Sequence, residues 1–188
     1  MMLGSPKMYV ALFTEHIPLR EVADKINEKD LTRFLLDFHR SIQNSTFKIR
    51  PKGNALGVQH PKIAVLGLNP HAGDNGVLGD EEKIIQKSID NANRILDKAV
   101  FTDPMVPDVA FIPHTRAQYT YYVAMYHDQG LTPLKALYFD EGINISLNLP
   151  ILRTSVDHGT AFDIAYRGGK LSSLSYLNAV NYILQTRE

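Results

Sequence analysis

Apolar runs of strand length alternate, along most of these 188 residues, with stretches whose apolar side chains recur every three to four positions. Strands alternating with helical patterns build crossover units, so the chain is restricted to an α/β class, with a largely parallel sheet expected. Met8 to Thr14 (MYVALFT) reads as a strand, and Pro18 opens a helical pattern of Leu19, Val22, Ala23 and Ile26. Leu31, Phe34, Leu35, Phe38 and Ile42 mark one face of a second helix, and the polar stretch from Gln43 to Gln59 reads as a loop with room for a short strand. Lys62 to Leu68 is a strand, followed by a helix that Asp80, Glu81 and Glu82 open with the negative charge its dipole favours. Its apolar face is Ile85, Ile89, Ala92 and Leu96. Tyr119 to Tyr126 is a further strand, Gly130 to Phe139 a helix with an early Pro133, and INISLNLPILRTS is strand-like. Helices around Gly159 to Tyr166 and Ser173 to Gln185 complete the pattern.

Lys and Arg balance Asp and Glu at 20 each, which leaves no electrostatic footprint for nucleic acid or an acidic membrane surface. An anionic ligand must be met locally. Without cysteine, disulfides, thiolate metal sites and thiol nucleophiles are excluded, and a reducing, cytoplasmic setting fits. The seven histidines and the carboxylates are then the candidate ligands. No run approaches a membrane span and no signal peptide is evident.

Ligands in open α/β sheets gather at the carboxyl ends of strands. Three strands end in Thr14-Glu15-His16, Asn69-Pro70-His71 and Tyr126-His127-Asp128. The second runs into VLGLNPHAGDNG, where Gly67, Gly73 and Gly76 permit positive φ or close approach and Asn69-Pro70 stops the strand. Two neutral imidazoles from separate strands suit a divalent cation, with Asp128 orienting a ring. Lone histidines at strand ends also serve as hydrogen-bonded structural residues, so spacing alone leaves both readings open. Lys135 and Arg153 could clamp a phosphate, but isolated basic residues are commonly just solvated.

The blocks TEHIPLREV (14–22), VLGLNPHAGDNG (65–76), VPDVAF (106–111), AMYHDQGLTPLK (124–135) and GINISLNLPILRTSVDHGTAFDIA (142–165) occur in an order and at intervals that resemble the 4-hydroxythreonine-4-phosphate dehydrogenases of pyridoxal phosphate (vitamin B6) biosynthesis. The resemblance implies an α/β/α sandwich of the isocitrate/isopropylmalate dehydrogenase-like type. It also implies a cytoplasmic homodimer with a shared active site, in which His71 of one chain approaches His127 of the other. The implied activity is oxidation of a small phosphorylated amino-acid substrate, 4-phosphohydroxy-L-threonine, with NAD or NADP and a divalent metal (Zn, Mg or Co), followed by decarboxylation to 3-amino-2-oxopropyl phosphate. By position, His71 and His127 match metal ligands, and Asp108 and Asp128 match catalytic aspartates. Lys135, Asn144 and Arg153 match substrate-binding positions, while His158, Gly159 and Asp163 match the cofactor side.

The family carries a further stretch ahead of these blocks, which the resemblance credits with the first metal-ligand histidine, so the chain is expected to be an incomplete, C-terminal portion that is inactive alone. Residues 1–150 are expected to form a central dimer-forming, metal-binding subdomain, and 151–188 a segment completing the other subdomain. His16 is expected to fix a strand-to-helix turn rather than to replace the absent ligand. A related dehydrogenase of a phosphorylated threonate or erythronate, and a non-catalytic dimerisation module, are the alternatives.

Overall fold

In the computed structural model, which describes residues 1–44, 63–160, 162, 166–169 and 172–185, six strands form one sheet in the order β3-β4-β2-β1-β5-β6. They are β1 (Met2–Ser5), β2 (Met8–Leu12), β3 (Ile63–Val65), β4 (Tyr121–Ala124), β5 (Ile143–Ser146) and β6 (Arg153–Val156). The helices are α1 (Val22–Lys25), α2 (Glu28–Asn44), α3 (Glu81–Leu96), α4 (Pro107–Ala110), α5 (Pro113–Arg116), α6 (His127–Tyr138) and α7 (Leu174–Gln185). The architecture is α/β, with helices on both faces.

The sheet is mixed rather than largely parallel. β2, β3 and β4 are parallel, but β1 pairs antiparallel with β2 and with β5, and β5 antiparallel with β6. Pro6-Lys7 leaves only a tight hairpin between β1 and β2, and so short a link cannot cross over to a parallel strand. The apolar first residues are therefore a strand of their own. The single strand-like stretch after Gly142 folds as two strands, because Pro150 and its neighbours reverse the chain and bring Arg153 opposite Ser146. α6 starts at His127, earlier than Gly130 would suggest, and the first helical pattern shrinks to a 3-10 turn (Leu19–Glu21) and one turn of α1, with Leu19 exposed. The loop expected from Gln43 to Gln59 falls mostly outside the described residues. So does part of the helix expected around Gly159 to Tyr166, where 166–168 form a turn.

Strand residues alternate between two apolar layers. Tyr9, Ala11, Ile63, Val65, Tyr121 and Val123 join Leu31, Leu35 and Phe38 of α2, Ile85 and Ile89 of α3, and Ala179 and Tyr182 of α7. Val10, Leu12, Ala64, Leu66, Tyr122 and Ala124 meet Leu131 and Leu134 of α6 on the other face. The helical spacing of 31, 35, 38 and 42 buries one stripe of α2, and each such side chain contributes about 1.5–3 kcal/mol.

Burial raises the phenol pKa values of Tyr9, Tyr121 and Tyr122 far above the ordinary value, and pushes Tyr182 up to about 12 from 10.0. The folded state thus keeps protons that the unfolded chain releases. Stability should be unaffected by these groups below about pH 10 and fall between about pH 10 and 12. Tyrosinate absorbance should appear together with the loss of helical circular dichroism; ionisation well ahead of unfolding would show that these phenols are accessible.

Candidate active site

The adjacent parallel strands β3, β4 and β2 end side by side, and polar side chains tie their carboxyl ends together. Thr14 donates its hydroxyl to the Met125 carbonyl at 2.7 Å, joining the exit of β2 to that of β4. Gln129, in the first turn of α6, accepts the Met125 N–H at 2.7 Å and donates to the Gly67 carbonyl at 2.7 Å, joining β4 to the exit of β3. From this edge emerge the segments bearing His16, His71 and His127.

The loop after β3 is a left-handed coil. His71 (φ 53°), Ala72 (50°), Gly73 (81°), Asp74 (44°) and Asn75 (56°) are successive positive-φ residues, four of them with side chains. Left-handed geometry costs a non-glycine residue roughly 1–2 kcal/mol, so the coil must be held by its surroundings. The first turn of α3 holds it. Glu82 accepts the N–H groups of Leu68 (2.8 Å) and Asn69 (2.7 Å), and the Asn69 side-chain amide donates to Glu82 at 2.9 Å and to Glu81 at 2.7 Å. A side chain at Gly73 would lie 2.7 Å from Glu82, which is why the anchor needs glycine there. The helix-dipole role read from the acidic trio is therefore accompanied by a second role, clamping the loop. His71 itself is exposed.

His127 is the first residue of α6, and its Nδ1 lies 2.7 Å from Asp128 Oδ1. That contact occupies one ring nitrogen and leaves Nε2 as the one available to a ligand. The His16 ring stands 5.4 Å from the His127 ring, centre to centre, and no side-chain hydrogen bond of His16 to a described residue accompanies it. His16 was expected to fix its turn; the ring contact that the structure gives it is with the other imidazole. The signal was present in the parallel placement of three histidine-bearing strand ends. What sequence lacked was the strand order that makes β2 and β4 neighbours. Among the described residues, no three His, Asp or Glu side chains converge as a complete cation site within the chain.

The remaining candidates are distributed along the sheet. Asp108 lies in α4, which touches the His71 coil. Asn144 pairs with Ser155, and Arg153 with Ser146, so that Asn144, Ser146 and Arg153 share the face opposite to buried Ile143 and Ile145, which is the α6 face. Arg153 donates to Ser146 Oγ at 2.9 Å at the same sheet edge as the histidines. Asn144 Oδ1 is buried with no hydrogen-bond partner among the described residues. Lys135, late in α6, lies at the opposite edge, 3.4 Å from the Asp157 carboxylate. His158 follows there, half-buried, with Nδ1 3.1 Å from the Gly159 carbonyl, and Gly159 is open to solvent; Asp163 lies outside the described residues. No helix among the described residues is long and apolar enough to cross a membrane.

Residues 1–183 match the family model described as pyridoxal phosphate biosynthetic protein PdxA. A protein of Sulfurimonas denitrificans named 4-hydroxythreonine-4-phosphate dehydrogenase is 59% identical over 180 residues, covering 96% of this chain and 53% of that protein. One of the same name from Campylobacter fetus is 50% identical over 186 residues, covering 98% and 55%. The chain thus spans about half the length of the relatives it matches. Among solved structures, a 4-hydroxythreonine-4-phosphate dehydrogenase from Klebsiella pneumoniae superposes with a TM-score of 0.74 at 35% identity over 98% of this chain and 53% of that one. A terephthalate 1,2-cis-dihydrodiol dehydrogenase from Burkholderia xenovorans LB400 gives 0.67 at 25% identity over 98% and 54%. With its α/β fold and this similarity over nearly its whole length, the chain belongs to the PdxA family of pyridoxal phosphate biosynthetic proteins.

Proposed function

We propose that this chain forms part of an NAD(P)-linked dehydrogenase that oxidises 4-phosphohydroxy-L-threonine in pyridoxal phosphate biosynthesis, with decarboxylation to 3-amino-2-oxopropyl phosphate. The observation that carries the reading is the gathering of His16, the His71 coil and His127 at the carboxyl ends of three adjacent parallel strands, in a chain whose relatives bear that dehydrogenase name. Two imidazoles that ligate one ion at about 2.0–2.1 Å and a tetrahedral angle have ring centres about 5 Å apart, so the 5.4 Å spacing of His16 and His127 fits a shared divalent cation. His71 is the remaining imidazole, contributed within the chain or across a homodimer with a shared site. A cation bound there supplies a Lewis acid beside the substrate's hydroxyl group. Zn, Mg and Co are candidates, and an all-imidazole donor set suits Zn or Co better than Mg.

The chain's own residues perform the positioning. Asp128 holds the His127 ring through Nδ1, so that Nε2 keeps one direction. Asp108, on the helix that touches the His71 coil, is a second carboxylate available for proton transfer. Asn144 and Arg153, on one face of the sheet, and Lys135, on α6 at the opposite edge, are the proposed contacts for the polar groups and phosphate of the substrate, a reading supported by the match of their positions to the family's substrate-binding positions. His158, Gly159 and Asp163 serve the nicotinamide cofactor. Residues 151–188 extend toward the other subdomain of the complete polypeptide; the exposed Ile151, Leu152, Tyr176, Leu177 and Leu184 support this, since such apolar surface wants a cover. Placement in the cytoplasm follows from the metabolic role.

The test is NAD(P)H production from 4-phosphohydroxy-L-threonine by this chain and by the complete polypeptide. Turnover is expected for the complete polypeptide alone; none from it overturns the reading. The dihydrodiol dehydrogenase relative supports a second reading, a dehydrogenase of another hydroxy acid, including threonate and erythronate phosphates. A panel of these substrates separates the two by kcat/KM. Arg153→Ala should raise the substrate KM by about ten- to hundred-fold, the effect of losing a charge-assisted pair of about 1.5–3 kcal/mol. If the melting temperature falls while KM holds, Arg153 serves the fold through Ser146 instead.

A further inference from the structure

We propose that Gln129 is a positioning residue that locks the His71 coil to the His127 turn, so that each histidine is presented to its cation site in a fixed orientation, within the chain or across a homodimer; the inference rests on the cation-site reading above. Gln129 is only 8% exposed, and its side-chain amide spends both ends on backbone at 2.7 Å: Oε1 on the Met125 N–H, Nε2 on the Gly67 carbonyl. Met125 is two residues before His127, and Gly67 is four before His71. A glutamine at the third position of a helix ordinarily reaches back to cap its own first turn. Here it reaches one residue further and, with its other end, into the neighbouring strand. The exits of β3 and β4 are thereby held together beyond the last ladder pair, Val65 with Val123, where backbone pairing no longer fixes their separation.

Residue type matters because the two ends have opposite polarity. Glutamate keeps the acceptor but places a carboxylate against the Gly67 carbonyl, where a donor is required. Methionine matches the volume and removes both bonds. Either way the His71 coil, left-handed over five residues and therefore dependent on its anchors, loses its register to His127. Glu82 still grips the coil from α3, but its hydrogen bonds go to Leu68 and Asn69 and do not reach the β4 exit.

The control is built into the same fold. Asn93 bridges backbone in the same manner at the opposite edge, accepting the N–H groups of Val100 and Phe101 at 3.0 Å and donating to the Phe101 carbonyl at 3.1 Å. Gln129→Met, Gln129→Glu, Asn93→Leu and His127→Ala are made in the complete polypeptide. Co(II) affinity is measured by calorimetry, the visible spectrum of the Co(II)-loaded protein is recorded, and melting temperatures are taken on the metal-free proteins. Loss of a group that orients metal ligands typically weakens binding by about 10–100-fold. Gln129→Met and Gln129→Glu should show that loss and an altered Co(II) spectrum, while Asn93→Leu, with a comparable drop in melting temperature, keeps both unchanged. If His127→Ala abolishes Co(II) binding and both Gln129 variants bind like the parent, the positioning role is overturned and the cation site stands. If His127→Ala binds like the parent, the site reading itself fails. Gln129→Glu retains one of the two bonds, so it reports even if Gln129→Met does not fold.

Discussion

Replacing His127 by alanine in the complete polypeptide is expected to lower kcat/KM by more than about a hundred-fold, because losing a group that merely orients a metal ligand already costs about 10–100-fold. His71→Ala should do the same. The informative member of the series is His16→Ala. If His16 shares a cation with His127, as their 5.4 Å ring spacing supports, its loss should weaken Co(II) or Zn(II) binding while leaving the melting temperature of the metal-free protein nearly unchanged, since the ring makes no hydrogen bond to a described residue. If His16 only shapes the turn after β2, the pattern reverses: stability falls and cation affinity holds. Calorimetric titration of the metal-free variants, with thermal melts on the same samples, separates the two. Normal turnover in both His71→Ala and His127→Ala would sink the cation-site assignment altogether.

Gly130→Ala is expected to destabilise the fold, against helix propensity. Propensity alone favours alanine inside a helix by about 0.5–1 kcal/mol. The tertiary setting outweighs it: a Cβ at 130 would overlap the Val10 side chain and lie 2.9 Å from the Ala124 Cβ, so α6 would have to lift from β2 and β4. Overpacking of this kind costs about 1–3 kcal/mol, and for a chain of this length each kcal/mol lowers the melting temperature by roughly 2–4 °C. The same displacement moves His127 and Asp128, three and two residues earlier on the same helix, so cation affinity should fall along with stability. A rise in melting temperature would show that α6 has room to spare and that Gly130 serves only the local turn.

Periodicity made the helices legible. Leu31, Leu35, Phe38 and Ile42 are buried on α2, and Ile85, Ile89 and Ala92 on α3, because residues three and four apart share a helical face whatever the fold around them. The short apolar runs were legible as strands for the same local reason, and so was the glycine-rich loop, whose left-handed coil needs Gly73 beside Glu82. Strand direction was not legible. Local pattern does not say whether a strand pairs parallel or antiparallel, and two tight reversals, at Pro6-Lys7 and around Pro150, leave three of the five strand pairings antiparallel.

The chain's own residues, through their order and spacing, determined the α/β class, the helix faces and the arrival of three histidines at strand ends, because each of these depends on contacts within a few residues or on the hand of a repeating backbone. Only the tertiary structure decided which ends meet. The order β3-β4-β2 sets His16 against His127 and lets one buried amide span from Gly67 to Met125, while Lys135 falls at the far edge beside Asp157 and Arg153, three strands from β2, at the same end of the sheet as the histidines. Those are contacts between residues 62 or 111 positions apart, as for Gln129 with Gly67 and Thr14 with Met125, and no local pattern encodes them. They follow from burying two apolar layers against one sheet at once, a condition that the chain meets only as a whole.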